Sequence, residues 1–323
     1  IWTKELREEA VSRNIGLIAR EEQEKLRNAT VAIAGMGAVG GHHLLTLARM
    51  GIGKFIIADP DIYEPLNLHR QAGAFVNTIG RGKAEVMAEM TRQINPEVEL
   101  TVISEAIGEN NVDSFLDKAD IYLDGVDFFQ VDARILIFQK AREKGIFAIT
   151  AGPIGYGSSV QIFDPKGMTF EQYFGIKPGM TRAERIIAFA IGILPKLPNP
   201  KQMDTSSVDF EKEKGPALIS AILMSSGIIA TEALRVLLKR PGIKAVPYNF
   251  YFDPYGHSYY RGWAPFGRVR LRDRLMRFMA FRRYPSLKRL HDSEKEARKV
   301  EPEASERKPG ISSTGTVMEP QTI

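Results

Sequence analysis

The residues best suited to chemistry lie in one stretch, residues 31–71, where a glycine-rich turn precedes charged and amide side chains. Gly35, Gly37 and Gly40 have the G-x-G-x-x-G spacing, which permits a tight strand-to-helix turn and close approach of backbone N–H groups to a phosphate. The first turn of the following helix adds free N–H groups and a partial positive charge. The spacing therefore predicts a nucleotide site without identifying the nucleotide.

Asp59 closes the second predicted strand, about 20 residues after the glycine turn, where a carboxylate can bind the hydroxyl groups of a ribose. NAD-dependent oxidoreductases share this feature. Asp59 therefore does not separate them from other nucleotide-binding proteins.

Polar side chains are expected around the rim of the same pocket. They are Asp61, Asn67, Arg70, Gln71 and Lys83. A hydride-transfer site needs an open nicotinamide face and gains nothing from two added cations. Arg70 and Lys83 suit a triphosphate, whose charge must be neutralised where the bond breaks. These residues favour a triphosphate over NAD.

Asp127, in the segment YLDGVDFF, follows a later predicted strand. Ligands of open α/β sheets bind at the carboxyl ends of the strands. A carboxylate that faces a polyphosphate there most often holds Mg²⁺. Asp127 is therefore the predicted metal ligand.

Alternating strands and helices must position these groups. Strands are predicted at 30–34, 54–59, 98–104, 120–125, 146–152 and 158–163. Helical patterns separate most of them, with breaks at glycine or proline. The prediction is an α/β protein with a Rossmann-like, mostly parallel sheet and helices on both faces.

The rest of the chain divides by composition. Residues 164–215 are predicted to be an irregular insertion into a domain that spans residues 1–263. The apolar helix that follows the insertion could be a membrane span, but its uncharged run is shorter than the ~20 residues that a span needs, so a buried helix is favoured. Residues 264–290 form a basic amphipathic segment, and residues 291–323 are polar enough to predict a disordered tail.

The basic segment carries nine cations and one acid between residues 268 and 290, interleaved with Leu, Met and Phe. Such a helix can lie on an anionic membrane or contact a protein partner through residues 268–290. It can equally pack its apolar side on the body of the protein. RNA is a less favoured ligand.

Composition narrows the chemistry further. The chain has no cysteine, which excludes disulfides, thiolate zinc sites and a catalytic thiol, so no zinc site is expected. The five histidines form no metal-binding motif. The net charge of +5 suits an anionic ligand. No signal peptide is visible, and we expect a cytoplasmic protein.

From about residue 8 to 263 the chain resembles the ThiF/MoeB-type adenylyltransferases, relatives of the ubiquitin-activating enzymes. The segment GMGAVGGHHLLTLARMGIGKFIIADPDIYEPLNLHRQ matches the glycine turn and the D-x-D-x(5)-N-x-x-R-Q signature of that family. GRGKAEVMAEMTRQINPEVEL resembles its G-x-x-K helix, ATEALRVLL its late central helix, and REEAVSRNIGL its N-terminal segment.

The resemblance implies a reaction in which a carboxylate attacks the α-phosphorus of ATP, giving an acyl adenylate and pyrophosphate. The carboxylate would end a ubiquitin-like or sulfur-carrier protein, or a peptide. Asn67, Arg70 and Lys83 would steady the phosphates. Asp127 would bind Mg²⁺, and Arg13 would act across a homodimer.

The chain departs from the family pattern beside Asp127, and alternatives to the implied reaction stay open. Many relatives have D-x-T-D-N where this chain has DGVDFF, with Val126 and Phe128 beside Asp127. One alternative is a tRNA-modifying activator of a carboxylate. Others are an NAD-binding oxidoreductase and a non-catalytic nucleotide-binding scaffold, which the presence of Phe128 favours.

Overall fold

The computed structural model describes residues 2–194 and 204–305. Within these residues, eight strands form one sheet in the order β3-β2-β1-β4-β5-β6-β7-β8. The strands are β1 Thr30–Ala34, β2 Lys54–Ala58, β3 Glu99–Ile103, β4 Ile121–Asp124, β5 Phe147–Ile154, β6 Gly157–Phe163, β7 Tyr248–Asp253 and β8 Ser258–Trp263. The pairs from β3 to β5 are parallel, and the pairs from β5 to β8 are antiparallel. The predicted Rossmann-like α/β sheet is confirmed.

The helices lie on both faces of the sheet. They are α1 Lys4–Ala10, α2 Arg20–Asn28, α3 Ala38–Arg49, α4 Lys83–Ile94, α5 Val112–Leu116, α6 Val131–Glu143, α7 Phe170–Phe174, α8 Arg182–Gly192, α9 Ile219–Leu237, α10 Leu271–Arg283 and α11 Pro285–Ser305. Helices α2, α3, α4 and α9 contribute to one apolar core, and α5 to α8 with α10 contribute to the other. The buried strands β1 and β4 separate the two cores, as their continuous apolar sequences require.

Helix α9 has 19 residues and a mean hydropathy of 1.4, so by length and composition it could cross a membrane. In the structure its small and branched side chains, including Ala221, Ile222 and Ile229, are buried against the sheet and α3. This packing agrees with the buried helix favoured by the sequence.

The region from 164 to 215 is more regular than predicted. It contains α7 and α8, each begun by a threonine whose side chain accepts a hydrogen bond from the backbone three residues on: Thr169 from Gln172 and Thr181 from Glu184. The apolar side chains of α8, such as Ile186 and Phe189, are buried in the core. The expectation of an irregular insertion is therefore wrong for these segments, and residues 195–203 lie outside the described residues.

The described C-terminal residues are helical. The basic segment 264–290 forms α10 and the start of α11, and α11 continues to Ser305. Where the sequence predicts disorder, residues 291–305 continue α11, and His291 and Glu294 contact the start of α8. Residues 306–323 lie outside the described residues.

Candidate functional site

The glycine turn joins β1 to α3 at the carboxyl edge of the sheet. Gly35 has φ +87°, and a Cβ atom on it would lie 2.1 Å from the carbonyl oxygen of Gly125. A Cβ on Gly40 would lie 1.8 Å from the carbonyl oxygen of Gly35. At Gly37 the nearest atom would be Gln71 Nε2, at 3.8 Å. Packing thus requires two of the glycines, and the third leaves space at the start of α3.

Asp59 follows β2 and connects the glycine turn to the next loop. Its Oδ2 accepts a hydrogen bond from Met36 N at 2.6 Å, and its Oδ1 accepts one from Asp61 N at 2.8 Å. Burial raises the pKa of this carboxyl, although both backbone bonds and the charge of Lys83 oppose the shift. The Asp59 carboxylate stabilises the glycine turn through these hydrogen bonds, and its binding to a ribose stays a prediction.

Lys83 begins α4 and reaches toward the same edge. Its Nζ lies 2.9 Å from Asp61 Oδ2, and its backbone N donates to the Asp61 carbonyl at 2.9 Å. Lys83 is only 7% exposed, whereas Asp61 is open to solvent. The structure therefore places a largely desolvated ammonium group next to an accessible carboxylate.

The segment after Asp61 forms a short 3-10 helix, Pro65–Asn67. Asn67 is buried, and its Oδ1 accepts a hydrogen bond from Glu64 N at 2.9 Å. Arg70 Nη1 donates to the Leu66 carbonyl at 2.7 Å. In this conformation the side-chain hydrogen bonds of Asn67 and Arg70 are with their own loop, while the Arg70 carbonyl lies 3.3 Å from His42 Nε2 on α3.

Gln71 is buried beside the glycine turn. Its Oε1 accepts no hydrogen bond from the described residues, while its Nε2 lies near Gly37. A buried amide oxygen without a donor is costly, so it is suited to a ligand that brings one.

Asp127 lies in the loop after β4 and is exposed. Its Oδ1 accepts a hydrogen bond from Phe129 N at 2.9 Å. Burial lowers the pKa of the Arg70 guanidinium, and the charge of Asp127 opposes that shift. The loops after β2 and β4 thus bring Arg70 and Asp127 within electrostatic reach of each other.

Asp124 and Arg134 were not singled out from the sequence, yet they hold the Asp127 loop. Arg134 donates from Nε to Asp124 Oδ2 at 2.6 Å and from Nη2 to the Val126 carbonyl at 2.6 Å. Val126 N in turn donates to Asp124 Oδ1 at 3.1 Å. The sequence signal for this ion pair is an acidic residue at the end of a strand, followed ten residues later by an arginine on a helix.

Phe128, which stands beside Asp127 where the family pattern has a polar residue, packs toward the interior of the protein. The ring of Phe128 lies 5.0 Å from that of Phe129 and 5.7 Å from that of Phe189 on α8. The guanidinium of Arg134 lies 4.4 Å from the Phe189 ring. The loop is therefore anchored to α8 by apolar contacts where the family pattern has polar side chains.

Arg13 is not brought to this site within one chain. It lies in the 3-10 helix Ser12–Asn14, and the side chain of Asn14 bonds to the Met50 carbonyl just beyond the C-terminal end of α3. The glycine turn is at the N-terminal end of α3, about 18 Å away by the rise of that helix. A contribution from Arg13 would require another subunit.

No three His, Asp or Glu side chains come together as a metal cluster in residues 2–194 and 204–305. Asp127 is an exposed carboxylate at the polar rim. Mg²⁺ is commonly held by one or two carboxylates together with substrate phosphates and water. The residues present fit that arrangement and do not fit a site built from protein ligands alone.

A parallel sheet with a glycine turn at β1 and polar side chains at its carboxyl edge defines a nucleotide-binding α/β protein. The ThiF family model matches residues 11–264, so the chain belongs to the ThiF family.

Curated relatives share part of this region. The tRNA threonylcarbamoyladenosine dehydratase of Haemophilus influenzae is 34% identical over 132 residues, which are 41% of this chain and 50% of that protein. The sulfur carrier protein ThiS adenylyltransferase of Escherichia coli is 30% identical over 148 residues, 46% of this chain and 58% of that protein. The chain spans about half the length of the curated relatives it matches.

Solved structures share the fold. PaaA has a TM-score of 0.61 at 18% identity, covering 81% of this chain and 75% of PaaA. The E. coli MccB structure with ATP has a TM-score of 0.55 at 20% identity, covering 77% of this chain and 67% of MccB.

Proposed function

We propose that this protein is an ATP-dependent adenylyltransferase that activates a carboxylate as an acyl adenylate. The observation that carries the proposal is the buried Lys83 beside Asp61 at the carboxyl edge that holds the glycine turn, with Arg70 and Asp127 on the loops after β2 and β4, the strands on either side of β1. The family assignment supports it, because several relatives are named as adenylyltransferases.

In the proposed reaction ATP is a substrate. An oxygen of the acceptor carboxylate attacks the α-phosphorus, the bond from that phosphorus to the bridging oxygen breaks, and pyrophosphate leaves. The backbone N–H groups at Gly37 and the start of α3 would bind phosphate oxygens. Asp127 would hold Mg²⁺, which neutralises phosphate charge when bound.

Lys83 and Arg70 supply fixed positive charge. Because Lys83 is almost fully desolvated, its attraction for a phosphate is stronger than that of a solvated lysine. Asp61 holds the ammonium group in place until a phosphate competes for it. The chain provides alignment and charge, and the substrate provides the nucleophile.

The acceptor in this proposal is the C-terminal carboxylate of a small carrier protein or a peptide. The relatives named for a sulfur carrier protein and the MccB structure with MccA support this class. With no cysteine in this chain, no thioester can form on it, and the adenylate would pass to an external nucleophile. A homodimer would let Arg13 of one subunit serve the site of the other.

The test is exchange of labelled pyrophosphate into ATP, with Mg·ATP and a panel of carrier proteins ending in Gly-Gly and of peptides. We expect exchange that depends on one acceptor and falls at least about 100-fold in Lys83→Ala. Lys54→Ala is the matched control, since Lys54 pairs with Glu99 at the amino end of β2. Absence of both exchange and ATP binding would refute the proposal.

A second candidate is a tRNA-modifying activator of a carboxylate. Three relatives named as tRNA threonylcarbamoyladenosine dehydratase are 34–35% identical over their matched regions. This function predicts AMP release stimulated by tRNA that carries the modified adenosine. AMP release that tRNA does not change would exclude it. NAD binding without ATP binding would instead support an oxidoreductase, and nucleotide binding without turnover a scaffold.

A further inference from the structure

Helix α10 has apolar side chains on two faces. Met276 and Ala280 are buried against the protein. On the outer face Leu271, Leu275 and Phe278 are exposed at a spacing of four and three residues, which places them on one line along the helix. Met279 extends this line and is also exposed. The inner face accounts for the folding of α10, and the outer face has no partner in the described residues.

Exposed apolar side chains also precede α10 along the chain. Phe266 is 82% exposed and Leu271 is 83% exposed, so both side chains protrude almost completely from the surface. Trp263 at the end of β8 is exposed too, and its carbonyl accepts a hydrogen bond from Arg270 Nη2 at 3.1 Å. The result is a protruding apolar strip rather than a groove.

Arginines flank this strip. Arg270 and Arg274 donate to backbone carbonyls, and the guanidinium of Arg282 lies 5.4 Å from the Phe278 ring. Within the described ranges, no carboxylate lies within 4 Å of these three guanidinium groups. Arg272 is exposed, and its nearest carboxylate, Asp273, lies 3.7 Å away and is also paired with Arg268. The strip is therefore bordered by uncompensated positive charge.

We propose that the outer face of α10, together with Phe266, binds an anionic phospholipid surface. Protruding Leu, Phe and Met side chains can enter the boundary between headgroups and acyl chains, and the flanking arginines can reach the lipid phosphates. An RNA would use the arginines but would gain little from Leu271 and Leu275. A protein partner would need a groove to receive the strip, whereas a lipid surface accommodates it without one.

This binding would hold the candidate active site at a membrane surface. Helix α10 packs on α8, and Phe189 of α8 contacts Phe128 in the Asp127 loop. Lipid binding through α10 and Phe266 is independent of the proposed adenylation, because these residues are not part of the candidate active site.

The test is co-sedimentation of the full chain with phospholipid vesicles. We expect binding to vesicles of phosphatidylcholine with about 30% phosphatidylglycerol, weaker binding at about 0.5 M salt, and little binding to phosphatidylcholine alone. Binding only to RNA, or equal binding to both vesicle types, would overturn the proposal.

Pairs of matched variants test whether the lipid-binding surface is the outer face of α10. Leu271→Ser should weaken vesicle binding several-fold, whereas Leu17→Ser should not, although Leu17 is 82% exposed. Arg274→Gln with Arg282→Gln should weaken it by roughly tenfold or more, since each cation near an anionic surface adds to the attraction. Arg20→Gln with Arg92→Gln removes the same charge from exposed positions on α2 and α4.

All of these side chains are exposed, so the thermal unfolding midpoint should be unchanged in every variant. If the strip variants and the control variants lost vesicle binding equally, net charge or nonspecific hydrophobic adsorption would explain the binding. That outcome would refute the assignment of the binding surface to α10.

Discussion

Arg134 and Asp124 form an ion pair of 2.6 Å with side chains only 3% and 2% exposed, directly beneath the loop that carries Asp127. The same guanidinium donates to the Val126 carbonyl and lies over the Phe189 ring. One buried arginine therefore connects the end of β4, the candidate metal-binding loop and α8.

Replacing Arg134 by Met should destabilise the protein strongly. The substitution leaves Asp124 buried without its partner, which costs about 3–5 kcal/mol for pairs of this kind. We expect a clear drop in the free energy of unfolding, measured with urea. Arg289→Met is the matched control: it breaks a solvent-exposed pair with Glu211 and should leave the unfolding free energy almost unchanged.

The double variant Asp124→Leu with Arg134→Met separates the cost of an unpaired buried charge from the loss of packing and hydrogen bonds made by Arg134. It removes both charges, so it should recover part of the stability lost in Arg134→Met. A double variant no more stable than the single one would show that the contacts of the guanidinium with the loop, rather than the orphaned carboxylate, dominate.

The three glycines of the turn should respond differently to alanine. Gly40→Ala forces a methyl group into the Gly35 carbonyl and should cost at least about 1–3 kcal/mol of stability. Gly37→Ala meets no atom closer than 3.8 Å, so the fold should survive. Its methyl group would occupy the space open to a phosphate, and ATP binding measured by calorimetry should weaken several-fold.

Equal ATP affinity in Gly37→Ala and the unmodified protein would argue against phosphate binding at the start of α3. The thermal unfolding midpoint of each variant distinguishes lost binding from lost structure.

His43 on α3 is fully buried, with Nδ1 2.9 Å from the hydroxyl oxygen of Ser226 on α9. Burial lowers its pKa to about 3 from an ordinary value of 6.5. Between these values the unfolded chain binds a proton that the folded chain does not. The stabilising contribution of neutral His43 is therefore complete above pH 6.5 and is lost progressively as the pH falls toward 3.

Urea unfolding at a series of pH values measures this loss, which approaches about 1.4 kcal/mol per pH unit well below the ordinary pKa of histidine. His43→Gln keeps a polar group for Ser226 and cannot ionise in this range, so its unfolding free energy should fall less steeply between neutral and mildly acidic pH. His257→Gln, at an exposed position, should retain the steeper dependence. Identical slopes for His43→Gln and the unmodified protein would contradict the assignment.

Much of the fold could be predicted from the sequence, because it depends on local patterns. The apolar runs of β1 and β2 and the glycine spacing between them are sufficient to define a parallel βαβ unit. Helices α7 and α8 lie where an irregular insertion was expected, although Thr169 and Thr181 carry helix-capping signals.

The candidate site was predictable only in part. Residue types and spacing indicated Lys83 and Asp127 as site residues. The sequence could not show that Lys83 is buried against Asp61, or that the Asp59 carboxylate accepts hydrogen bonds from backbone N–H groups. The role of Arg134 was also hidden, since it depends on how α6 packs against β4. Such contacts arise from tertiary packing, which no local pattern reports.

Asp127→Asn gives the sharpest test of the proposed metal ligand. Asn retains a side-chain oxygen that can accept the Phe129 N–H, so the turn should be preserved, while the negative charge is removed. We expect pyrophosphate exchange to fall by roughly 100-fold with an unchanged unfolding midpoint. Asp132→Asn, five residues later in an exposed pair with Arg185, should keep nearly full activity.

The dependence on Mg²⁺ makes the assignment specific. If Asp127 holds the ion, raising the Mg²⁺ concentration should restore part of the exchange in Asp127→Asn, because the phosphates of ATP still supply ligands. If the carboxylate instead acts only by orienting Arg70, added Mg²⁺ should have no effect and the affinity for ATP without metal should change. The second outcome would remove Asp127 from the metal site and leave the remainder of the phosphate-binding edge to be tested through Lys83.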